Sequence, residues 1–146
     1  MAKKSGIKNL EAFQDRLEKK VVTNPEKHLK RLVLRTTTLV ENTAKKSIMK
    51  GGTGRIYQKY NPRREHTASK VGEPPASDTG FLVGNITLDV KEQGTSVIGQ
   101  VIASAPYAKA LEFGTTQMEP RPFMQPALER NRAKIKRMFK EGGYID

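Results

Sequence analysis

Arg63, Arg64, Glu65 and His66 follow one another in the middle of this chain and are the residues best suited to chemistry. Imidazole and carboxylate groups can exchange protons with a substrate, and guanidinium groups stabilise the charge that develops in phosphoryl transfer, so the set is compatible with a small ribonuclease. Catalytic groups need rigid support, however, and these four lie in a segment rich in glycine and proline. A solvated loop is therefore the favoured interpretation, and we predict no catalytic residues.

The glycine-rich stretch GGTGR at residues 51–55 is a second candidate, for phosphate binding. The common nucleotide-binding loop follows a strand and ends in Gly-Lys-Ser/Thr, and the sequence predicts neither feature here. The chain has no cysteine, and its two histidines, His28 and His66, lie far apart, so no metal site is predicted. Neither Gly-x-Ser-x-Gly nor His-Glu-x-x-His occurs. We therefore expect no cofactor and no enzymatic activity.

The elements that would position any binding residue must fit into a short, basic chain. A length of 146 residues is typical of one domain, 1–146, and no apolar run approaches the ~18 residues of a membrane span. The net charge is +12, and residues 1–50 hold thirteen Lys and Arg against five Asp and Glu. Such an excess suits nucleic acid or an acidic protein surface, and equally the solvated faces of helices. No nucleic-acid-binding motif accompanies it, so the charge alone leaves these alternatives open.

Two helices are predicted before residue 51. Over residues 9–21, apolar side chains recur at the helical spacing, at Leu10, Phe13, Leu17 and Val21. Asn24 and Pro25 predict the start of a longer second helix, with the asparagine side chain accepting a backbone N–H and proline in the first turn. Gly51 and Gly52 are predicted to end it. Its predicted buried line is Leu29, Leu32, Val33, Thr36, Val40, Thr43, Ala44 and Ile48.

Residues 51–80 contain five glycines, three prolines and six apolar residues, too few to contribute much to a core. Loops of this length are usually functional or become ordered on binding. The sequence therefore predicts a long extended loop or arm at about 51–80 that becomes ordered against a neighbouring subunit or a partner. Its predicted interaction residues are Arg55, Tyr57, Tyr60, Arg63 and Arg64.

An antiparallel hairpin is predicted after this arm. Ile86, Leu88 and Val90 alternate with polar residues, which is the period of a half-buried strand, and Gln93-Gly94 supplies a turn. A second apolar strand follows at residues 97–102. Two strands alone are marginally stable, so the hairpin must pack on the long helix or join a larger sheet, including one completed by another subunit.

The segment APYAKALEFGTTQMEPRPFMQPALE, residues 105–129, concentrates aromatic residues and prolines. Pro106 predicts a short helix that ends at Gly114, and Pro120 and Pro122 predict an extended path. Pro126 is acceptable only in the first turn of a final helix that continues to Lys140. These features give a corner between the short and final helices.

The predicted interaction residues of this corner are Tyr107, Glu112, Phe113, Arg121 and Phe123. Phe113 and Phe123 are interpreted first as core residues that pin the corner, with an exposed anchor as the alternative. For Glu112 two pairings stay open, with Arg121 or with a basic residue of the next subunit. Together with the helices and the hairpin, the corner completes an α+β fold: N-terminal helices including one long helix, a small antiparallel β-sheet with a hairpin, a short helix and a C-terminal helix.

Three stretches together resemble the tail-completion or head-to-tail joining proteins of long-tailed bacteriophages and prophages. They are GIKNLEAFQDRLEKK, PPASDTGFLVGNI and YAKALEFGTTQMEPRPFMQPALERNRAKI, and the resemblance covers nearly the whole chain. Its most specific part comprises Tyr107, Leu111, Glu112, Phe113, Gly114 and Thr115, then Arg121, Pro122, Phe123, Pro126, Ala127 and Leu128. Residues 51–78 are longer and more basic than the common pattern, which leaves the contacts of this loop open.

The resemblance implies a structural virion protein that forms a ring of six copies at the neck, made in the host cytoplasm. The implied partners are a head-completion or connector protein on one side and the tail tube or a tail terminator protein on the other. Basic helices would then grip an acidic protein surface, which we favour over contact with DNA in the channel because phosphate contacts would retard DNA transit. Two alternatives are a tail terminator that caps the tube and, from another class, a basic nucleic-acid-binding protein.

Overall fold

A computed structural model describes residue 15 and residues 24–145. The predicted helix over residues 9–21 lies outside the described residues, apart from Asp15. The described chain has the predicted α+β fold, with a long helix, a hairpin, a short helix and a C-terminal helix that packs on the long one. It also contains a second antiparallel hairpin and a second short helix, which were not predicted.

The long helix, α1, spans Pro25–Met49 and forms one wall of the core. Its start is at the predicted residue, because Asn24 is the N-cap and Pro25 follows, but the predicted asparagine side-chain cap is wrong. The carbonyl oxygen of Asn24 accepts the N–H of His28 at 3.1 Å, which is the ordinary first hydrogen bond of the helix. Gly51 has a φ of 84°, a left-handed conformation suited to glycine, just after the helix. The buried residues are Leu32, Val33, Thr36, Thr37, Val40, Ala44 and Ile48, so Thr37 joins the predicted line while Leu29 and Thr43 are only half-buried.

The segment predicted to be an irregular arm contains a hairpin, and in this respect the prediction is wrong. Strand β1, Ile56–Tyr60, pairs antiparallel with β2, Arg63–Thr67, in the register Ile56 to Thr67 and Tyr60 to Arg63. Most of its side chains are exposed, so backbone pairing rather than apolar burial holds the strands together. The low apolar content of residues 51–80 correctly predicted that this segment contributes little to the core. It did not predict the two strands.

The second hairpin follows a short helix, α2, Phe81–Gly84. Strand β3, Ile86–Gln93, pairs antiparallel with β4, Ser96–Ala103, and Leu88 lies opposite Val101. Both strands and the turn at Gly94 agree with the prediction. The hairpin packs on α1, and Gly99 of β4 lies where a Cβ atom would collide with side chains of that helix.

The last two helices are α3, Ala108–Phe113, and α4, Met124–Glu141. As predicted, Gly114 with a φ of 75° ends the short helix, and Pro126 lies in the first turn of the last one. Helix α4 runs antiparallel to α1: the Nδ2 of Asn131 donates to the Oγ1 of Thr43 at 2.9 Å, and the hydroxyl of Tyr144 donates to the carbonyl of Pro25 at 3.1 Å. One core unites these elements and comprises Val40, Ala44, Ile48, Leu82, Ile86, Ala105, Ala108, Phe123 and Ala127.

Candidate assembly surfaces

The corner between α3 and α4 is built around the carboxylate of Glu112. One oxygen accepts the N–H groups of Phe123 and Met124 at 2.8 and 3.0 Å, and the other accepts that of Gln125 at 2.9 Å. The first N–H groups of a helix have no partner within the helix, and negative charge is favourable at that end. Glu112 therefore caps α4 from the preceding helix and fixes the angle between the two.

This geometry corrects the first pairing predicted for Glu112. Within the described part of the chain, Glu112 and Arg121 form no ion pair, because the carboxylate is directed at the backbone of α4. Arg121 contributes through its main chain, whose N–H donates to the carbonyl of Leu111 at 2.7 Å. The sequence could not reveal the cap, since donor and acceptor are separated by a turn and two prolines.

The two phenylalanines of the corner have opposite environments. Phe123 is 1% exposed and belongs to the core, as the first interpretation predicts. Phe113 is 71% exposed, so the core interpretation is wrong for it, and its position fits the alternative of an anchor. Helical geometry explains the difference, because Phe113 lies roughly 200° around α3 from the half-buried Leu111. The spacing of α3 was thus a signal that could have separated the two residues.

Tyr107 belongs to an exposed aromatic pair at the same corner. Its ring centroid lies 6.2 Å from that of Phe81, at an interplanar angle of 36°. The pair borders a pocket of about 310 Å³ that Arg121 and His66 also line. The pocket therefore brings two predicted residues of the corner, Tyr107 and Arg121, against the base of the first hairpin. Phe81 was not predicted.

The five predicted interaction residues of the arm lie in or next to the first hairpin, and they differ in how accessible their side chains are. Tyr57 and Tyr60 are exposed, as are Arg55 and Arg63, and the guanidinium carbon of Arg55 lies 5.5 Å from the ring centroid of Tyr57. Arg64 is directed to Asp78, with 2.8 Å between its Nη2 and a carboxylate oxygen. Four of the five predicted residues are therefore accessible to a partner, and Arg64 is structural.

Asp78 is the charged centre of the hairpin base, and the sequence did not indicate it. Its carboxylate accepts a hydrogen bond from Lys59 and pairs with Arg64, while His66 Nδ1 lies 3.9 Å away. The bond from Lys59, reinforced by the charge of Arg64, holds the pKa of Asp78 below its ordinary value. The partners are 14 and 19 residues away along the chain. Local sequence patterns do not report such distant pairs.

The same geometry bears on the sequence of residues 63–66. Successive side chains of a strand point to opposite faces, so Glu65 faces away from Arg64 and His66 and bonds Gln58 on the neighbouring strand. The four side chains do not converge on one point. Among the described residues there is also no cluster of three or more His, Asp or Glu residues placed to hold a metal ion.

An apolar cleft of about 470 Å³ lies between α1, β4 and α4. Its lining includes Val33, Val40, Val97, Val101, Leu128 and Ile135. Leu128, at the start of α4, is 46% exposed. Strand β4 pairs with β3 along one edge and with no other described strand along the other. Residues 24–145 of one copy thus leave both an open apolar cleft and an unpaired strand edge, a combination that favours association.

Comparison with known proteins does not assign the chain to a family. No protein-family model, no curated protein and no solved structure matches the chain. Of the helices in residues 24–145, none is long and apolar enough to cross a membrane.

Proposed function

We propose that this chain is a structural subunit of a tailed bacteriophage virion: a tail-completion or head-tail joining protein that forms a ring of six copies at the neck, between the capsid connector and the tail tube. The resemblance at residues 107–128 suggests this class of protein, and the apolar cleft beside β4 is the observation that carries the proposal. An apolar cavity left open at the surface favours burial by a second molecule.

A ring requires a heterologous contact, in which one patch meets a different patch on the next copy. The described chain offers two such patches. One is the cleft, and the other is the first hairpin, which carries the exposed Tyr57 and Tyr60. The first hairpin makes no extensive contact with any other helix or strand within residues 24–145, so its tyrosines are available to a neighbour.

The cleft is tested with two leucines of nearly equal exposure on opposite sides of the α1–α4 pair. Leu128, 46% exposed, lines the cleft, whereas Leu34, 43% exposed, lies outside it. Leu128→Asp places a carboxylate in the proposed interface, where an unpaired buried charge costs several kcal/mol, so we expect association to weaken roughly a hundredfold. Leu34→Asp carries the same chemical change and is expected to assemble as the wild type does.

Sedimentation velocity and negative-stain images, with and without purified tail tubes, measure the outcome. Wild-type rings that disappear in Leu128→Asp and persist in Leu34→Asp support the proposal. A wild-type protein that stays monomeric at high concentration and on tail tubes contradicts it, as does a Leu128→Asp protein that still forms rings.

A phage that lacks this protein tests the position of the ring. We expect filled heads and full-length tails that fail to join, because the joint between them is missing. Overlong tail tubes would show instead that the ring terminates the tube. Particles that join normally would exclude both roles.

A further inference from the structure

A second groove lies between α1 and α4, on a different side of the helix pair from the cleft. We call it the outer groove; it has a volume of about 410 Å³ and is lined by Leu34, Arg35, Leu39, Asn42, Lys134 and Met138, together with Thr38. Leu34, Leu39 and Met138 give it an apolar floor, and Leu34 is exposed within it. The hydroxyl of Thr38 donates to the carbonyl of Leu34, so it is occupied within its own helix.

The rim of the outer groove is cationic. Arg35 on α1 and Lys134 on α4 are exposed and form no ion pair with any described residue. Residues four apart share one side of a helix, so exposed Arg31 and Arg130 extend the two rims by a turn each. The positive rims therefore run along both helices.

Among residues 24–145, few acidic side chains lie near these rims. Glu141 follows Lys134 by seven residues, about two helical turns, so it lies on the same side of α4, and it is exposed at the end of the helix. Glu41 on α1 is neutralised by Lys45, whose Nζ lies 2.7 Å from its carboxylate. In the described part of the chain, four cations thus face one carboxylate that forms no ion pair there, so these residues give the outer groove a positive charge.

The chemistry that complements an apolar floor between two cationic rims is an apolar stripe flanked by carboxylates. From Arg31 to Asn42 the groove is roughly 16 Å long, which accommodates about three turns of helix. We infer that the outer groove binds an acidic amphipathic helix of a partner protein. Its leucine-type side chains cover Leu34 and Met138, and its carboxylates pair with Arg35 and Lys134.

DNA is the other polyanion that such rims attract, and the floor decides between the two. A phosphate backbone has no apolar group to place on Leu34, Leu39 and Met138, and it would desolvate its charges against them. A helix satisfies both parts of the groove at once. The inference is independent of ring formation, since the groove lies within one chain and outside the cleft.

The full-length protein is titrated with a fluorescent 14-residue peptide that carries leucines at helical spacing and glutamates on either side of them. A scrambled peptide of the same composition and a 20-base-pair DNA duplex serve as comparison ligands, and fluorescence anisotropy measures binding. Lys134→Glu is compared with Lys136→Glu, which has the same net charge but lies roughly 200° around α4. Leu34→Ser is compared with Met49→Ser, which changes an exposed apolar side chain at the end of α1 that lines neither the outer groove nor the cleft.

We expect the patterned peptide to bind more tightly than the scrambled one. Lys134→Glu is expected to weaken this binding about tenfold at low salt and less at high salt, and Leu34→Ser about threefold to tenfold. Lys136→Glu and Met49→Ser should change it less than about twofold. If Lys134→Glu and Lys136→Glu weaken peptide binding equally, the net charge of the protein explains the effect and the inference is overturned. The inference is also overturned if the two peptides bind equally tightly, or if the DNA duplex binds tightly and Leu34→Ser does not change its affinity.

Discussion

The two hairpins of this protein have the same topology and are held in place by different forces. The β3–β4 hairpin packs on α1 and contributes Ile86 to the centre of the core. The β1–β2 hairpin makes no extensive contact with another helix or strand in the described part of the chain. Removal of apolar surface from water therefore stabilises one hairpin, and the other must rely on polar contacts.

Those polar contacts are concentrated at the base of the β1–β2 hairpin. Asp78 binds Lys59 and Arg64 on the two strands. Glu73 accepts hydrogen bonds from Thr53, through its hydroxyl and N–H, and from the N–H of Lys70, and these bonds hold the pKa of Glu73 at about 2. A segment anchored by exposed polar contacts can open without disrupting the core. A hairpin of this kind can change its position while the core stays folded, whereas the packed one cannot.

The largest difference between the hairpins is expected for a pair of isoleucines. Ile86→Ala in β3 removes a side chain that is 1% exposed, whereas Ile56→Ala in β1 removes one that is 59% exposed. We expect the first change to lower the free energy of unfolding by about 2–5 kcal/mol through the loss of burial and the cavity it leaves. The second should stay within about 0.5 kcal/mol.

Urea denaturation followed by circular dichroism measures both isoleucine variants. Equal destabilisation would mean that the first hairpin also belongs to the cooperative core, and the comparison between the hairpins would fail.

Periodicity was sufficient to predict the elements that the core stabilises. The apolar spacing of α1 and the alternation of β3 each report which side of the element is buried, and Pro126 and Gly114 restrict the backbone locally. These signals lie within a few residues, so α1, α3, α4, the second hairpin and the corner could be placed from the sequence, whereas the four-residue helix α2 was not predicted.

The features that escaped prediction depend on distant polar contacts. Asp78 joins two strands far from it in sequence, and Glu112 caps a helix on the other side of a turn. The β1–β2 hairpin itself has an exposed, charged sequence, and its strands are stabilised by pairing that leaves no apolar pattern. Burial of one side of a helix or strand produces a periodic pattern of apolar residues in the sequence, whereas a polar contact between distant residues produces no such pattern.

A smaller effect is expected from alanine at two glycines that lie close to other atoms. A Cβ atom at Gly99 would collide with Oγ1 of Thr37 and with Cγ1 of Val33 on α1, and one at Gly52 would collide with the backbone of Ala68. Because Gly99 is part of the packed hairpin, Gly99→Ala should destabilise the whole fold by about 1–3 kcal/mol.

Gly52→Ala is expected to act locally, because the base of the first hairpin can shift without opening the core. Amide hydrogen exchange should quicken at Gly54 and Ala68, whose N–H groups donate across this contact to Ala68 and Arg55, while β3 and β4 stay protected. Faster exchange throughout β3 and β4 would show that the two regions unfold together.

The smallest effect, and the most selective, is expected on acidification. Folding lowers the pKa of Asp78 and Glu73, so the ionised forms are favoured in the folded state. Their contribution is complete above the ordinary pKa values and is lost as pH falls through the folded values, which for Glu73 means between 4.5 and about 2. An NMR titration should therefore show the backbone signals of residues 53–70 changing over this range before those of β3 and β4.

Asp78→Asn should reproduce part of this change at neutral pH, because the amide cannot neutralise Lys59 and Arg64. Asp89→Asn is the matched control, since Asp89 pairs with Lys91 at 3.1 Å on the exposed face of the packed hairpin. We expect faster amide exchange in β1 and β2 for Asp78→Asn and no change in β3 and β4 for either variant. If Asp78→Asn leaves the first hairpin as protected as before, backbone pairing alone holds it, and electrostatic anchoring is not what separates the two hairpins.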